Sequence, residues 1–450
     1  MKRLWETLQE LTRFKSALVG LGILAFIVAL AIYTVIAIPY GEAVRLWRGG
    51  EDVWRYNPVN AKPAWINYFT PRKLPQTRVL RSEEHAQMEE ETVGKTSRKV
   101  TITYQFRYTA DLPPSELALV YKPVFKKKSP LVSVTWVTPD GREYTFGRIT
   151  VKSVSVHGRY WYSVSRDQKL VQLFGTQNVE EGLFCRVDDP KRVQKGDHRV
   201  VITAYLFEPD ASIETELVLY GTVHGLAGTD HLRRDIMVGL LWGTPVALSF
   251  GLAASLGTMI TSVIIAALGA WFGGFVDSLI QRLTEIRMII PTLPILIMVG
   301  MFFSKSIWVI LATLLVLNII ESSVKNYRAI FLQEKNAPYI EAARSYGAGH
   351  MRIIFRYLIP RVIPWLIPSF VLAVPSYVFL EAALAVLGLG DPVLPTWGKV
   401  LSDAYGRGAL FQGHYYWVLE PAFMLMVTGF GFTMIGHALD RIFNPRLREI

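Results

Sequence analysis

Two hydrophobic patterns divide this chain. Ala17–Ile38 runs without a charge and is long enough to cross the roughly 30 Å hydrocarbon core of a bilayer; Pro39 closes it. After a long gap, five more apolar runs follow at about Pro245–Trp271, Met288–Phe303, Ile307–Val324, Val362–Leu387 and Trp417–Leu439. The pattern predicts an α-helical polytopic membrane protein with six transmembrane helices. Pro291, Pro294, Pro364, Pro368 and Pro375 break or kink the later runs, as membrane helices tolerate.

Between the first two runs the period changes from helical to two. From Tyr40 to Thr229 no span-length apolar run occurs. Lys99–Phe106, Val132–Val137, Tyr144–Val151, Arg199–Leu206 and Ile213–Tyr220 alternate apolar with polar residues and are rich in β-branched and aromatic side chains. With Pro139-Asp140-Gly141 as a turn, they predict a β-rich domain of sandwich or jelly-roll type, inserted between helices 1 and 2. The charged Arg81–Lys95 reads as a helix or a linker. Leu4, Trp5, Leu8 and Leu11 suggest an interfacial amphipathic helix ahead of the first span.

Charge sets the orientation. The chain has 450 residues, 51% of them hydrophobic and 19% charged, and a net charge of +11. Such a balance invites a nucleic-acid reading, but outside the central domain the basic residues cluster at the ends of apolar runs, so no nucleic acid is called for. Excluding residues 40–229, 16 Lys and Arg fall on the side holding both termini and 5 on the other. Positive charge collects on the cytoplasmic side, which makes the termini cytoplasmic and residues 40–229 extracytoplasmic. Cys185 is the single cysteine, which excludes a disulfide framework and a multi-cysteine metal site. On this topology it should label with an impermeant thiol reagent if accessible. The first run is too long for a signal-peptide core and lacks a following small-residue cleavage site, so it reads as a retained anchor.

The polar stretch Tyr339–Pro364 lies between two apolar runs and carries Arg344, Arg352, Arg356 and Arg361. Such a segment belongs on the basic face of the membrane. Gly347 should end or bend a first helix, and Met351–Leu358 should restart it before Pro360, giving a short helix-turn-helix on the membrane surface. Glu341-Ala342-Ala343, then Gly347, then Ile359-Pro360 follow the spacing of the EAA loop of ABC importer permeases, with Tyr357 and Ile359 off pattern. The stretch resembles that loop. Gly228-Thr229-Asp230-His231-Leu232-Arg233-Arg234-Asp235 is similar to a box of the dipeptide/oligopeptide branch, in which Arg233 stands where Gly is usual. Glu381–Gly390, Pro395–Ala404 and the tail from Ala438 to Arg448 also resemble that branch. The likeness covers Gly228–Ile450 closely and Met1–Ile38 loosely, and leaves out the β-rich domain.

The resemblance implies a type I ABC importer-like fold. It divides the chain into residues 1–39, an amphipathic segment and first transmembrane helix; 40–229, the extracytoplasmic β-rich domain; and 230–450, the permease core. The cytoplasmic coupling loop occupies about 325–361. The implied function is a cell-membrane permease subunit of a peptide importer. Its implied partners are two ABC ATPase subunits, a second homologous permease, an extracytoplasmic solute-binding protein and the lipid bilayer. Glu341, Ala342, Ala343, Gly347, Ile359 and Pro360 would meet the ATPase, with Gly347 leaving room for its surface. Oligosaccharide import, or a membrane-anchored sensor using the β-rich domain, are the alternatives.

Other candidates carry less. Glu381 is a possible pathway-lining residue, although a hydrated place near the outer interface is the plainer reading. Glu321 is expected to meet Lys325 one turn on. Asp188-Asp189-Pro190 and Glu208-Pro209-Asp210 could hold calcium but read more simply as turns. The chain has no phosphate-binding Gly-x-x-x-x-Gly-Lys-Ser/Thr loop and no His-Glu-x-x-His, so it is not read as an enzyme, and no cofactor or metal is called for.

Overall fold

The computed structural model describes residues 14–93, 97–152, 158–175, 178–190 and 192–443. The predicted amphipathic head before residue 14 and the tail motif from Asn444 onward lie outside the described residues. The chain forms two compact units, one of residues 1–48 with 238–450 and the other of 49–237.

In the helical unit, Lys15–Ala37, Ile236–Phe272, His350–Leu389 and Tyr415–Phe443 are each long and apolar enough to cross a membrane. Two further pairs qualify only when each is taken together across a bend. Gly274–Ile289 and Thr292–Phe302 meet at 73°, and Ile307–Ile320 and Ser322–Glu334 at 44°. Pro291 explains the first bend, since the residue before a proline is pushed to extended backbone and Ile290 sits at φ −79°, ψ 118°. Glu321, also extended, marks the second. Breaks expose carbonyls that the bilayer cannot satisfy. Arg287 serves both breaks, donating through Nε to Leu317 O at 2.7 Å, through Nη1 to Ile290 O at 2.7 Å, and through Nη2 to Thr292 Oγ1 at 2.7 Å. Met288, expected to open a span, thus lies in the last turn of the helix before the bend. Lys325 pairs with Glu285 at 3.3 Å rather than with Glu321. The first helix packs on the last through Ala17, Ile435, Ala438 and Leu439.

The second unit is a two-sheet antiparallel sandwich. One sheet runs β1 (Arg78–Arg81), β10 (Ser212–Tyr220), β4 (Glu116–Val124), β8 (Tyr160–Ser163). The other runs β2 (Ala86–Val93), β3 (Ser97–Tyr108), β9 (Gly196–Leu206), β5 (Leu131–Val137), β6 (Glu143–Thr145), with β7 (Ile149–Thr150) also on β5. Alternate residues fill the space between: Val100, Ile102, Tyr104 and Phe106 from β3, Val200 and Ile202 from β9, Val134 and Trp136 from β5, Leu117 and Leu119 from β4.

Two readings of this region change, and one strand was not anticipated. Arg81–Lys95 is mainly strand β2, an edge strand whose exposed glutamates pair across to β3, Glu90 with Arg98 and Glu91 with Lys99, each at 3.1 Å. Its charge hid the strand because an edge strand is blunted with charge. Tyr144–Val151 is two short strands, not one. Strand β4 is buried on both faces along Leu117–Tyr121, so no alternation announced it. The Glu208-Pro209-Asp210 turn is fully accounted for without calcium. Glu208 accepts the backbone N–H of Lys126, Lys127 and Lys128 at 2.7, 2.6 and 2.8 Å, which lowers its carboxyl pKa, and Asp210 pairs with Lys126. Among the described residues no cluster suited to a metal occurs.

Cys185 is buried, which pushes its thiol up to about 11. Its failure to label would therefore say nothing about sidedness.

His198 lies at the centre of the sandwich, fully buried and between the rings of Phe106 and Phe184. Its Nδ1 accepts from Trp136 Nε1 at 3.2 Å. Burial pushes its pKa down to about 4 from 6.5, so the unfolded chain binds the proton first. Stability of this unit is therefore full above pH 6.5 and falls as the pH drops toward 4, by about 3 kcal/mol in all. Hydrogen exchange of the β3–β9 ladder should show this loss, and His198→Gln should flatten it. An unchanged slope in the variant would remove His198 as the cause.

Candidate coupling site

The segment Pro338–Ser345 is a helix of eight residues with Pro338 at its start, where a missing N–H costs nothing. Its inner face is fixed. Ile340 and Ala343 are buried with Val263, Ala267, Trp271, Phe331, Ile354 and Leu358. Its outer face is open: Glu341, in the first turn, Ala342, Ser345 and Tyr346 are exposed.

The turn after it is a Schellman motif. Ala348 N–H donates to Ala343 O at 3.0 Å and Gly347 N–H to Arg344 O at 2.9 Å. Gly347 closes it at φ +77°. An added Cβ there would meet nothing within 4 Å, so what holds glycine at 347 is backbone conformation, not lack of room within this chain.

The chain re-enters helix at His350 and does not stop at Pro360. Helix runs through Pro360 to Leu384, with a π-helical register at Ile354–Leu358, and a second π-helical stretch, Ala385–Leu389, is kinked at Gly388, φ +89°. Ile359 N–H bonds to Ile354 O, five residues back. That wider turn precedes Pro360, whose ring and missing N–H would disrupt a regular α-turn. The expected second short helix is therefore the first part of a long one. Ile359 is buried and Pro360 exposed.

Trp271, at the end of the Ile236–Phe272 helix, ties the segment down. Lys335 Nζ donates to Ala270 O at 2.9 Å and Trp271 O at 2.8 Å, satisfying carbonyls at that helix terminus. The Arg344 guanidinium lies 4.6 Å from the Trp271 ring centroid, and Trp271 Nε1 donates to His350 Nδ1 at 3.1 Å. Asp277 holds Arg328 from the neighbouring helix. Lys335 and Trp271 were missed in the sequence. Their only signal was a tryptophan closing an apolar run and a lysine one loop away.

With this geometry in view, the comparisons with known proteins decide the family. Residues 238–449 match the family described as binding-protein-dependent transport system inner membrane component. The oligopeptide transport system permease protein OppC of Bacillus subtilis is 32% identical over 49% of this chain and 72% of its own length. The chain belongs to this family. The dipeptide transport system permease protein DppC of Bacillus subtilis is 30% identical over 49% of this chain and 69% of its own, and OppC of Escherichia coli K12 32% over 49% and 72%. A solved structure of TmCBM61 in complex with beta-1,4-galactotriose aligns with 35% of this chain at 8% identity and a TM-score of 0.16, too low to establish a shared fold.

This permease subunit is a multi-pass membrane protein, and its other motifs have clear structural places. Glu381 is buried, not hydrated, and its Oε1 accepts from Thr396 Oγ1 at 2.9 Å. Thr396 in turn accepts from Lys399 N–H at 3.0 Å and caps the Trp397–Gly406 helix. In the Gly228–Asp235 box, Asp230 accepts the backbone N–H of Leu232 and Arg234 and binds the Arg234 side chain at 2.5 Å. Arg233 sits at φ +65°. Glycine is the usual residue of such a backbone, and here an arginine adopts it. Its guanidinium donates to Asn57 O at 2.6 Å, pairs with Glu116 on β4, and lies 4.6 Å from the Tyr220 ring centroid on β10. The departure from the branch's glycine thus provides an anchor for the sandwich.

Proposed function

We propose that this chain is one of two unlike permease subunits of an ABC importer for dipeptides or oligopeptides, with Pro338–Pro360 as its contact to the ATPase. The observation that carries this is the Pro338–Ser345 helix: pinned on its inner face, exposed along Glu341, Ala342, Ser345 and Tyr346, and spaced as in the EAA loop. A helix so held moves only with the bundle it packs against, so pressure from an ATPase closing on ATP passes to the spans. Six spans, each bent pair counting as one, cytoplasmic termini and an outer β-rich unit complete the arrangement. An outer binding protein delivers the solute, and ATP is hydrolysed on separate subunits. The peptide relatives favour peptide over oligosaccharide cargo, and membership of a transport family leaves a sensor without support.

Within the permease, Glu381 fixes the outer Trp397–Gly406 helix through Thr396, and a role in lining the pathway requires that pair to part. For the coupling contact, Glu341→Lys should weaken ATPase binding to the nanodisc-embedded importer about tenfold, the effect of one charge-assisted contact of about 1.4 kcal/mol, with membrane insertion unchanged. Tyr346→Ala tests the same face. Unaltered binding in both variants would place the ATPase elsewhere.

A further inference from the structure

We infer that a cavity over strands β4 and β8 is a site for the C-terminal carboxylate of a peptide. That a peptide is the source of the carboxylate rests on the importer reading above; the cavity itself lies wholly within the β-rich unit. Its volume is about 190 Å³. That is less than the roughly 300–1,000 Å³ that encloses a drug-sized ligand, so it takes the end of a molecule and not the whole. Ala118 lines it with only a methyl group, which leaves depth on a sheet face otherwise filled by Val120, Val218 and Tyr220. Trp161 on β8 and Tyr220 on β10 wall it, and Arg55, Arg166 and Arg233 reach it from three separate segments.

Charge selects the ligand. Glu116 is the one carboxylate in the lining, and Arg233 pairs with it while donating to Asn57 O at 2.6 Å. These two charges cancel. Arg55 and Arg166 remain, and among the described residues neither guanidinium is hydrogen-bonded. Asp52 stands 3.7 Å from Arg55 but is 54% exposed, where an ion pair is weak. Arg55 is held in place by other means. Its guanidinium lies 4.8 Å from the Trp161 ring centroid, Tyr56 packs edge-on against Trp161 at 5.0 Å, and Tyr220 Oη donates to Arg55 O at 2.6 Å. Such a ring contact holds a guanidinium by its charge and leaves its N–H fork for a carboxylate. Arg166, exposed, ends the short turn Val164–Arg166, whose Ser165 Oγ accepts the Leu117 N–H at 2.8 Å. The buried Glu180 beside Ser165 has its carboxyl pKa raised by burial, toward the neutral form, so it offsets little of this positive charge. A carboxylate bound by Arg55 and Arg166 brings its own side chain against Trp161 and Tyr220, which favours an apolar or aromatic terminal residue. An ammonium group finds no acid in the lining that Arg233 has not already taken.

The test uses the full chain in phosphatidylcholine nanodiscs and titration calorimetry with Ala-Ala-Phe, its N-acetyl form and its C-terminal amide. The two acids should bind alike, and the amide about tenfold more weakly, the effect of one lost charge-assisted contact. Arg55→Gln and Arg166→Gln should each weaken the acids about tenfold for the same reason. Arg186→Gln, at an exposed arginine outside the cavity, should change nothing. Unfolding temperatures matched to the parent show that each variant remains folded. Equal binding of acid and amide overturns the inference, and so does binding that ignores both arginine changes, or no binding at all. Inorganic phosphate that displaces the peptide at equal concentration would make this a phosphate site and overturn its assignment to a peptide. Uptake of Ala-Ala-Phe by the reconstituted importer is measured beside binding. Binding absent with uptake intact overturns the site alone; uptake absent with binding intact supports the site and removes the importer reading.

Discussion

Gly347→Val is expected to cut solute-stimulated ATP hydrolysis by the reconstituted importer at least tenfold while leaving the chain in the membrane, and Gly347→Asn to retain most of it. The reason is the backbone. Gly347 holds φ +77° to close the Schellman turn that ends the Pro338–Ser345 helix. An L-residue in that region costs about 1–2 kcal/mol, more for a β-branched one and least for asparagine. Relieving the strain would break the Ala348-to-Ala343 and Gly347-to-Arg344 bonds and re-aim Glu341 and Tyr346. Since about 1.4 kcal/mol is a factor of ten, a turn lost to valine would show plainly. The added side chain meets no atom of this chain. A contact with the ATPase at 347 would therefore reveal itself by making asparagine fail as badly as valine. Hydrolysis with and without loaded binding protein, beside copurification of the ATPase subunits, distinguishes the outcomes. Full coupling in the valine variant would deny this turn any part in transmission.

Trp397→Ala should produce the largest loss of stability. Trp397 is 1% exposed and its Nε1 donates to Leu240 O at 2.8 Å. The indole occupies the slot left by Gly243: a Cβ built there would lie 2.2 Å from Trp397 Cδ1. Removing the ring leaves a cavity, and in a site already sheltered from water the lost packing contacts dominate, at about 3–5 kcal/mol. The apparent Tm of the purified subunit should fall by roughly 10 °C. Trp397→Phe, which keeps most of the volume, should lose far less. Gly243→Ala should be harmful in the parent but nearly neutral beside Trp397→Ala, because the alanine then enters vacated space. Additive effects of the two changes would show that ring and glycine do not share one site.

Both positions illustrate how the sequence and the fold divide the information. Gly347 was legible because a helix terminator between two helical stretches has a local cause. Its reason was not: left-handed backbone and steric room demand the same residue, and only coordinates tell them apart. At Pro360 local chemistry misled. Proline normally ends a helix, but the π-register at Ile354–Leu358 carries the helix past it into the span. Glu381 looked costly in an apolar run; its partner Thr396 was fifteen residues away across a turn.

The sequence by itself determined the apolar helices, the alternating strands β3, β5, β9 and β10, and the spacing that led to the transporter family. These are periodic or local properties, set by which face of an element must leave water. Tertiary structure alone decided the bend at Glu321, the edge strand β2, the doubly buried β4, and the use of Arg287, Lys335 and Arg233. Most of these depend on neighbours that the fold supplies, as Leu317 does for Arg287, Ala270 for Lys335 and Glu116 for Arg233, and periodicity along the chain does not announce them.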